Sequence, residues 1–141
     1  MENKAEKRFY VDACVWRDYF ENRGDGIRPL GEFAFGFLSK CSDKKCLIVY
    51  SELTLLELKD FDGKMREVIS EFGNKMLEVP VLGKEVEEAV KISKERKLPT
   101  NDAIHSLIAR DNGAIIITRD FHFQELLDIA EAKAPEEAIL D

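Results

Sequence analysis

Four acidic residues stand where carboxylates can do chemistry. Asp12 closes the apolar stretch Phe9-Tyr10-Val11, Glu57 lies in the leucine-rich SELTLLEL, Asp102 follows LPTN, and Asp120 comes two residues after Thr118 at the end of AIIIT. Gathered carboxylates repel: two unit charges about 4 Å apart cost ~4 kcal/mol at an effective dielectric of 20. A gathered set therefore calls for protonation, basic partners or hard divalent cations, and carboxylate oxygen suits Mg2+ or Mn2+. Such a centre lowers the pKa of a bound water and stabilises both oxygens of an in-line phosphoryl displacement. Taken singly, the acids also have plain structural roles. Asp12 and Asp120 can shape a turn or cap a helix, and Asp102 in a first helical turn suits the dipole there. Glu57 is more telling. At about 100° per residue it falls inside the apolar arc between Leu53 and Phe61, while Glu52 and Lys59 share the opposite face. An inward carboxylate is costly unless it is paired or binds metal.

The elements that must hold these acids follow from the pattern. RFYVDACVW (8–16) is β-prone and ends in a polar turn region, so Phe9 to Asp12 reads as a first strand, and residues 29–40 read as a helix with Phe33, Phe37 and Leu38 at helical spacing. CLIVY (46–50) is a short continuous apolar run, as expected for a buried parallel strand. Ser51 can cap a helix over SELTLLELKDF, and 62–73 reads as another ending at Gly73. Met76 to Val81 suits a third strand. Gly83 to Lys97 reads as an amphipathic helix with Val86, Ala89, Val90 and Ile92 or Ser93 facing inward. Pro99 stops it, Thr100 or Asn101 caps the next helix to about Asn112, and Gly113 ends that one. AIIIT (114–118) is the plainest buried strand; a short helix and a weak edge strand near Ile129–Lys133 complete the chain. The alternation predicts an α/β fold, a parallel sheet between layers of helices. In open sheets of this kind ligands sit at the carboxyl ends of the strands, where Asp12 and Asp120 fall.

The 141 residues suit one domain spanning 1–141. Apolar residues make up 45% and charged residues 35%, a globular rather than a disordered composition. No apolar run is long enough to span a membrane, and the N-terminus lacks the apolar stretch of a signal peptide. Cys14, Cys41 and Cys46 are odd in number and lack C-x-x-C spacing, so a disulfide framework or zinc site is not expected and a reducing cytoplasm is. The net charge of −7 opposes phosphate backbones at long range, unless bound cations invert the local field. His105 and His122 read as surface or partly packed histidines. Arg17, Arg23, Arg28 and Arg110 read first as a solvated charged face; Arg119, next to Asp120, is the arginine best placed to meet substrate. Trp16, Tyr19, Phe20, Phe33, Phe35 and Phe37 crowd the N-terminal third, more apolar surface than one helix face buries, which favours a homodimer.

VDACVW around Asp12, SELTLLEL around Glu57, LPTNDAIHSLIAR around Asp102 and AIIITRDFHF around Asp120 resemble, in order and spacing, the four acidic motifs of PIN-domain nucleases. The resemblance runs from about Phe9 to Phe123. It implies a three-layer α/β/α fold and Mg2+- or Mn2+-dependent cleavage of RNA. Asp12, Glu57 and Asp102 would be core metal ligands, Asp120 the fourth acid, and Thr118 a support whose hydroxyl orients the cluster. Many small prokaryotic members are toxins of the VapC type that dimerise and pair with an antitoxin protein. Two positions depart from the family's usual pattern: Cys14 stands where many members carry Asn, and His122 where many carry an acid. Both bear on the occupancy of a second metal. Other phosphoryl-transfer readings fit less well, because no Asp-Asp pair follows Val11 and Asp12-Ala13-Cys14 breaks D-x-D. The remaining alternative is a catalytically inactive PIN fold that binds RNA or protein.

Overall fold

The computed structural model describes residues 6–24, 26–43 and 45–140. Five parallel strands form one sheet in the order β3-β2-β1-β4-β5: β1 (Lys7–Val11), β2 (Cys46–Ser51), β3 (Met76–Val79), β4 (Ala114–Ile117) and β5 (Ala132–Lys133). The side-chain alternation of a strand sends successive residues into two cores. Phe9, Val11, Ile48 and Ile117 face α1 (Ala13–Glu21), α2 (Leu30–Asp43), α4 (Asp62–Phe72) and α7 (Pro135–Ile139), whose Trp16, Phe37, Met65 and Ala138 are all buried with them. Tyr10, Val49 and Ile116 face α5 (Gly83–Arg96) and α6 (Thr100–Asp111) through Ala89, Leu107 and Ile108. The remaining helix, α3 (Glu52–Glu57), follows β2 directly. This is the three-layer α/β/α arrangement expected from the apolar runs. No helix among the described residues is long and apolar enough to cross a membrane.

Several local expectations need correction. Residues 13–16, β-prone in sequence, and the polar region after them form helix α1: Asp12 caps it by accepting the Ala13 N–H, and Ala13, Val15 and Trp16 turn into the core. β-Branched and aromatic residues hid a helix that begins at a side-chain cap. The helix opened by Ser51 stops at Glu57 and gives way to a 3-10 turn over Lys59–Phe61; the cap itself is present, paired reciprocally with Thr54. The third strand ends at Val79, because Pro80 has no N–H for the ladder. On α5, Ala89 and Ile92 are buried as expected, but Val86 and Val90 are 38% and 39% exposed, and Glu85 turns inward instead. Its carboxylate caps the Leu82 N–H at 2.8 Å and shares a hydrogen bond with Asp111. Burial pushes its pKa up. Pro99, with no side-chain cap, precedes α6, and the Thr100 hydroxyl donates to Ser93 instead.

The two halves of the sheet diverge at β1. The chain runs outward through β2 and β3, then returns to place β4 on the other side of β1. Asp12 and Asp120 follow these adjacent strands, at the point where a parallel sheet opens a crevice.

Candidate active site

Asp12 leaves β1 in extended geometry, with both oxygens engaged. Oδ1 accepts the Ala13 N–H at 2.9 Å, and Oδ2 accepts the Thr118 hydroxyl at 2.9 Å and the Cys14 thiol at 3.3 Å. Thr118 Oγ1 in turn accepts the Asp120 N–H at 3.0 Å. One hydroxyl thus ties the side chain of the first acid to the backbone of the last. Cys14, at the position that departs from the family pattern, is held by its environment as a neutral donor. Burial, then the Asp12 charge, pushes its thiol up to about 12.

Glu57 ends α3, and its carboxylate is fixed from beneath. His105, 1% exposed, places Nε2 2.8 Å from Glu57 Oε1 and Nδ1 2.6 Å from the Tyr10 hydroxyl, which lies 2.7 Å from Ser51 Oγ. A carboxylate only accepts, so Nε2 carries the proton toward Glu57; in the neutral ring Nδ1 then accepts from Tyr10. Burial raises the Tyr10 phenol well above its usual range, so that donor keeps its proton. The Asn101 amide and the Arg17 guanidinium reach the carboxylate and the carbonyl of Glu57 respectively.

Asp102 sits in the first turn of α6, and Asp120 caps the 3-10 turn Phe121–Leu126 by accepting the His122 N–H at 2.9 Å. The His122 ring lies between them, with Nδ1 3.2 Å from Asp102 Oδ2 and 3.0 Å from Asp120 Oδ1. Burial first, then the charges of Asp120 and Asp12, pushes the Asp102 carboxyl up to about 6. All four acids open into one cleft of about 350 Å3, with Arg17 and Arg23 on its wall. His105 and His122, read from sequence as ordinary packed or surface residues, are therefore both part of this constellation. Their spacing was the available signal: His105 lies three residues past Asp102 on the same helix, and His122 two past Asp120. Arg119 takes a different place. Its guanidinium makes two hydrogen bonds to Glu136, at 3.0 and 2.7 Å, lies 3.3 Å from Asp18 and covers the Phe33 ring. It belongs to a buried ion-pair cluster and lines a neighbouring cavity beside Asp120 rather than the acidic cleft itself.

The donor set fits a hard divalent cation. Asp12, Glu57 and His105, and separately Asp102, Asp120 and His122, each offer ligand atoms within 4.8 Å of one another. The buried Asp102 Oδ2 has no hydrogen-bond donor in good geometry, which leaves a lone pair aimed into the cluster. Because both nitrogens of His105 are already engaged, that ring positions Glu57, and the four carboxylates are left as the oxygen donors.

The PIN domain family model matches residues 9–127. Among solved structures, the chain resembles one described as a toxin–antitoxin complex from Klebsiella pneumoniae (TM-score 0.62, 20% identity, 92% of this chain and 98% of that one). It also resembles VapBC2 from Rickettsia felis bound to a DNA fragment from its promoter (TM-score 0.64, 11% identity, 90% and 98%). A third likeness is PAE2754 from Pyrobaculum aerophilum (TM-score 0.50, 15% identity, 96% and 93%). At these identities the likenesses speak to the fold. A search of curated proteins returned no match.

Proposed function

This chain belongs to the PIN-domain family, and we propose that it is a divalent-metal-dependent ribonuclease that hydrolyses RNA phosphodiester bonds. Asp12, Glu57, Asp102 and Asp120 would hold the Mg2+ or Mn2+. The observation that carries this reading is the opening of all four acids into one cleft at the sheet's switch point. A bound divalent ion would supply a water of lowered pKa and positive charge against the phosphate oxygens. The chain's own residues do the rest. Thr118 and the Ala13 N–H fix the Asp12 carboxylate; Tyr10 and His105 fix that of Glu57. Arg17 and Arg23 bring positive charge to the wall of the cleft, where an otherwise acidic chain must admit a phosphate backbone. Cys14 is a hydrogen-bond donor to Asp12.

The toxin role and an antitoxin partner belong to the same reading. The solved relatives described as toxin–antitoxin and VapBC assemblies support it. A homodimer and a cytoplasmic location complete the proposal. For the dimer, the aromatic surplus is smaller than composition suggests: Trp16 and Phe37 are buried, and Phe35, 59% exposed, is the large aromatic of α2 left for a second copy.

The test is cleavage of a structured RNA in Mg2+ or Mn2+ by wild-type protein and Asp12→Asn. The amide keeps the cap and the approach to Thr118 but loses the charge that holds a hard cation. A drop of about a hundredfold or more, roughly 2.7 kcal/mol, is expected, with an unchanged fold. Near wild-type cleavage by the variant removes Asp12 from the mechanism. RNA binding without cleavage by either protein replaces the nuclease by an inactive binding module.

A further inference from the structure

A second cavity, of about 220 Å3, adjoins the acidic cleft and shares Asp120 with it. Its wall differs in chemistry. Phe121 is 75% exposed and lines it, so an aromatic ring stands open to solvent beside a polar site. The ring leans on His122, with centroids 4.7 Å apart, so it is held one residue from the imidazole that bridges Asp102 and Asp120. Gln124, which offers both donors and an acceptor, lines the same cavity, as do Ala132 on the edge strand β5 and, on the rim, Lys133 and Arg28. The carbonyls of Glu131 and Lys133 accept from β4. In a regular strand the N–H and C=O of Ala132 between them then point to the open edge of the sheet. The two cations also have acidic neighbours, Lys133 near Glu131 and Arg28 near Glu136.

We propose that this cavity is a nucleobase subsite: the RNA nucleotide next to the scissile phosphate stacks its base on Phe121 and presents its edge to Gln124 and the β5 backbone. The inference rests on the ribonuclease reading, and it names what that reading lacks, a place that holds the strand beside the acids. Stacking on an exposed ring tolerates every base because each has a π-face, whereas amide and backbone groups read base edges. The arrangement therefore gives binding first and a modest base preference second. Asp120 lines both cavities, so the subsite is contiguous with the acids. The cations on the far rim suit the next phosphate. Glu137, which also lines the cavity, turns its carboxylate back onto the Ala134 N–H.

The experiment uses the full chain carrying Asp12→Asn, so that RNA is not consumed. Fluorescence anisotropy measures its binding to short single-stranded RNAs with one abasic nucleotide at each position in turn. Intact RNA should bind about tenfold more weakly when Phe121→Ala is added, and Phe121→Tyr should restore most of the loss. One abasic position should weaken binding to the protein that keeps Phe121 by a similar factor and leave Phe121→Ala unaffected. Equal binding with and without Phe121→Ala, with the same sensitivity at every abasic position, overturns the subsite. So does a change of sedimentation behaviour in Phe121→Ala without a change in RNA binding, which would make the ring a contact between copies. Failure of the nuclease reading looks different: the abasic signature persists while the unmutated chain leaves RNA intact in Mg2+ and Mn2+.

Discussion

Asp102 carries the clearest cost at the level of single residues. Its carboxyl is pushed up to about 6 by burial and by Asp120 and Asp12. A folded-state pKa raised above the unfolded value means that stability is fullest below the unfolded value and is lost as pH rises through about 6. In the presence of a chelator, Asp102→Asn should therefore melt above wild type at pH 7.5, by on the order of 2 kcal/mol, and the gap should narrow to about half at pH 5 and close only below the unfolded value of about 3.9. A gap independent of pH would mean that the charge of Asp102 is not the source. Tyr10→Phe tests the opposite face of the site. It strips the buried His105 Nδ1 and Ser51 Oγ of their shared partner, so stability should fall by about 1–3 kcal/mol. Cleavage should weaken with it, since Glu57 loses its fixed support; unchanged cleavage would free Glu57 from that support. The acids were legible in the sequence because each lies at a strand end, on an apolar helix face or, for Asp102, in the first turn of a helix, all local properties. His105 was not, since what makes it a positioning group is a hydroxyl 95 residues away.

Among the elements, α7 is held to the body of the protein by charge as well as by packing. Arg119, in the loop after β4, joins Glu136 of α7 to Asp18 of α1. Asp18 is nearly buried, and burial raises its carboxyl despite the arginine beside it. Removing the guanidinium leaves that carboxylate buried and uncompensated. Arg119→Ala should therefore cost about 3–5 kcal/mol in urea unfolding, whereas Glu136→Gln, which spares the Asp18 contact, should cost about 1 kcal/mol. Stability equal to wild type in Arg119→Ala would remove it from this structural role and favour the substrate contact that its neighbour Asp120 suggested. The same elements show where pattern reading works. CLIVY and AIIIT are buried on both faces and declare themselves by continuous apolar sequence. The short helices do not: α1 is written in strand-prone residues and set by the Asp12 cap, and α7 is announced only by Pro135 at its first position. On α5 periodicity gave the helix but not its full inner face, because Glu85 is turned inward by a cap and a carboxyl partner that no hydrophobic pattern encodes.

For the molecule as a whole, the acidic cluster is a charge repulsion that a bound cation would relieve. Millimolar Mn2+ should raise the melting temperature relative to chelator, with about 2.7 kcal/mol gained at a hundredfold excess over the dissociation constant. A melting curve indifferent to Mn2+ would argue against metal binding by the free protein. The arrangement of the sheet has a further consequence, in time rather than space. The hydrogen bond from Thr118 to Asp12 closes a gap of 106 residues, and β1, the first strand made, lies between a partner made early, β2, and one made late, β4. Chains emerge from the ribosome N-terminus first, and contacts this distant form only after loop closure. A nascent or prematurely released chain that ends before Ala114 lacks both Asp120 and the hydroxyl that orients Asp12. The cleft therefore cannot be completed until Asp120 has been made, and a chain that ends before Ala114 lacks one of its four acids.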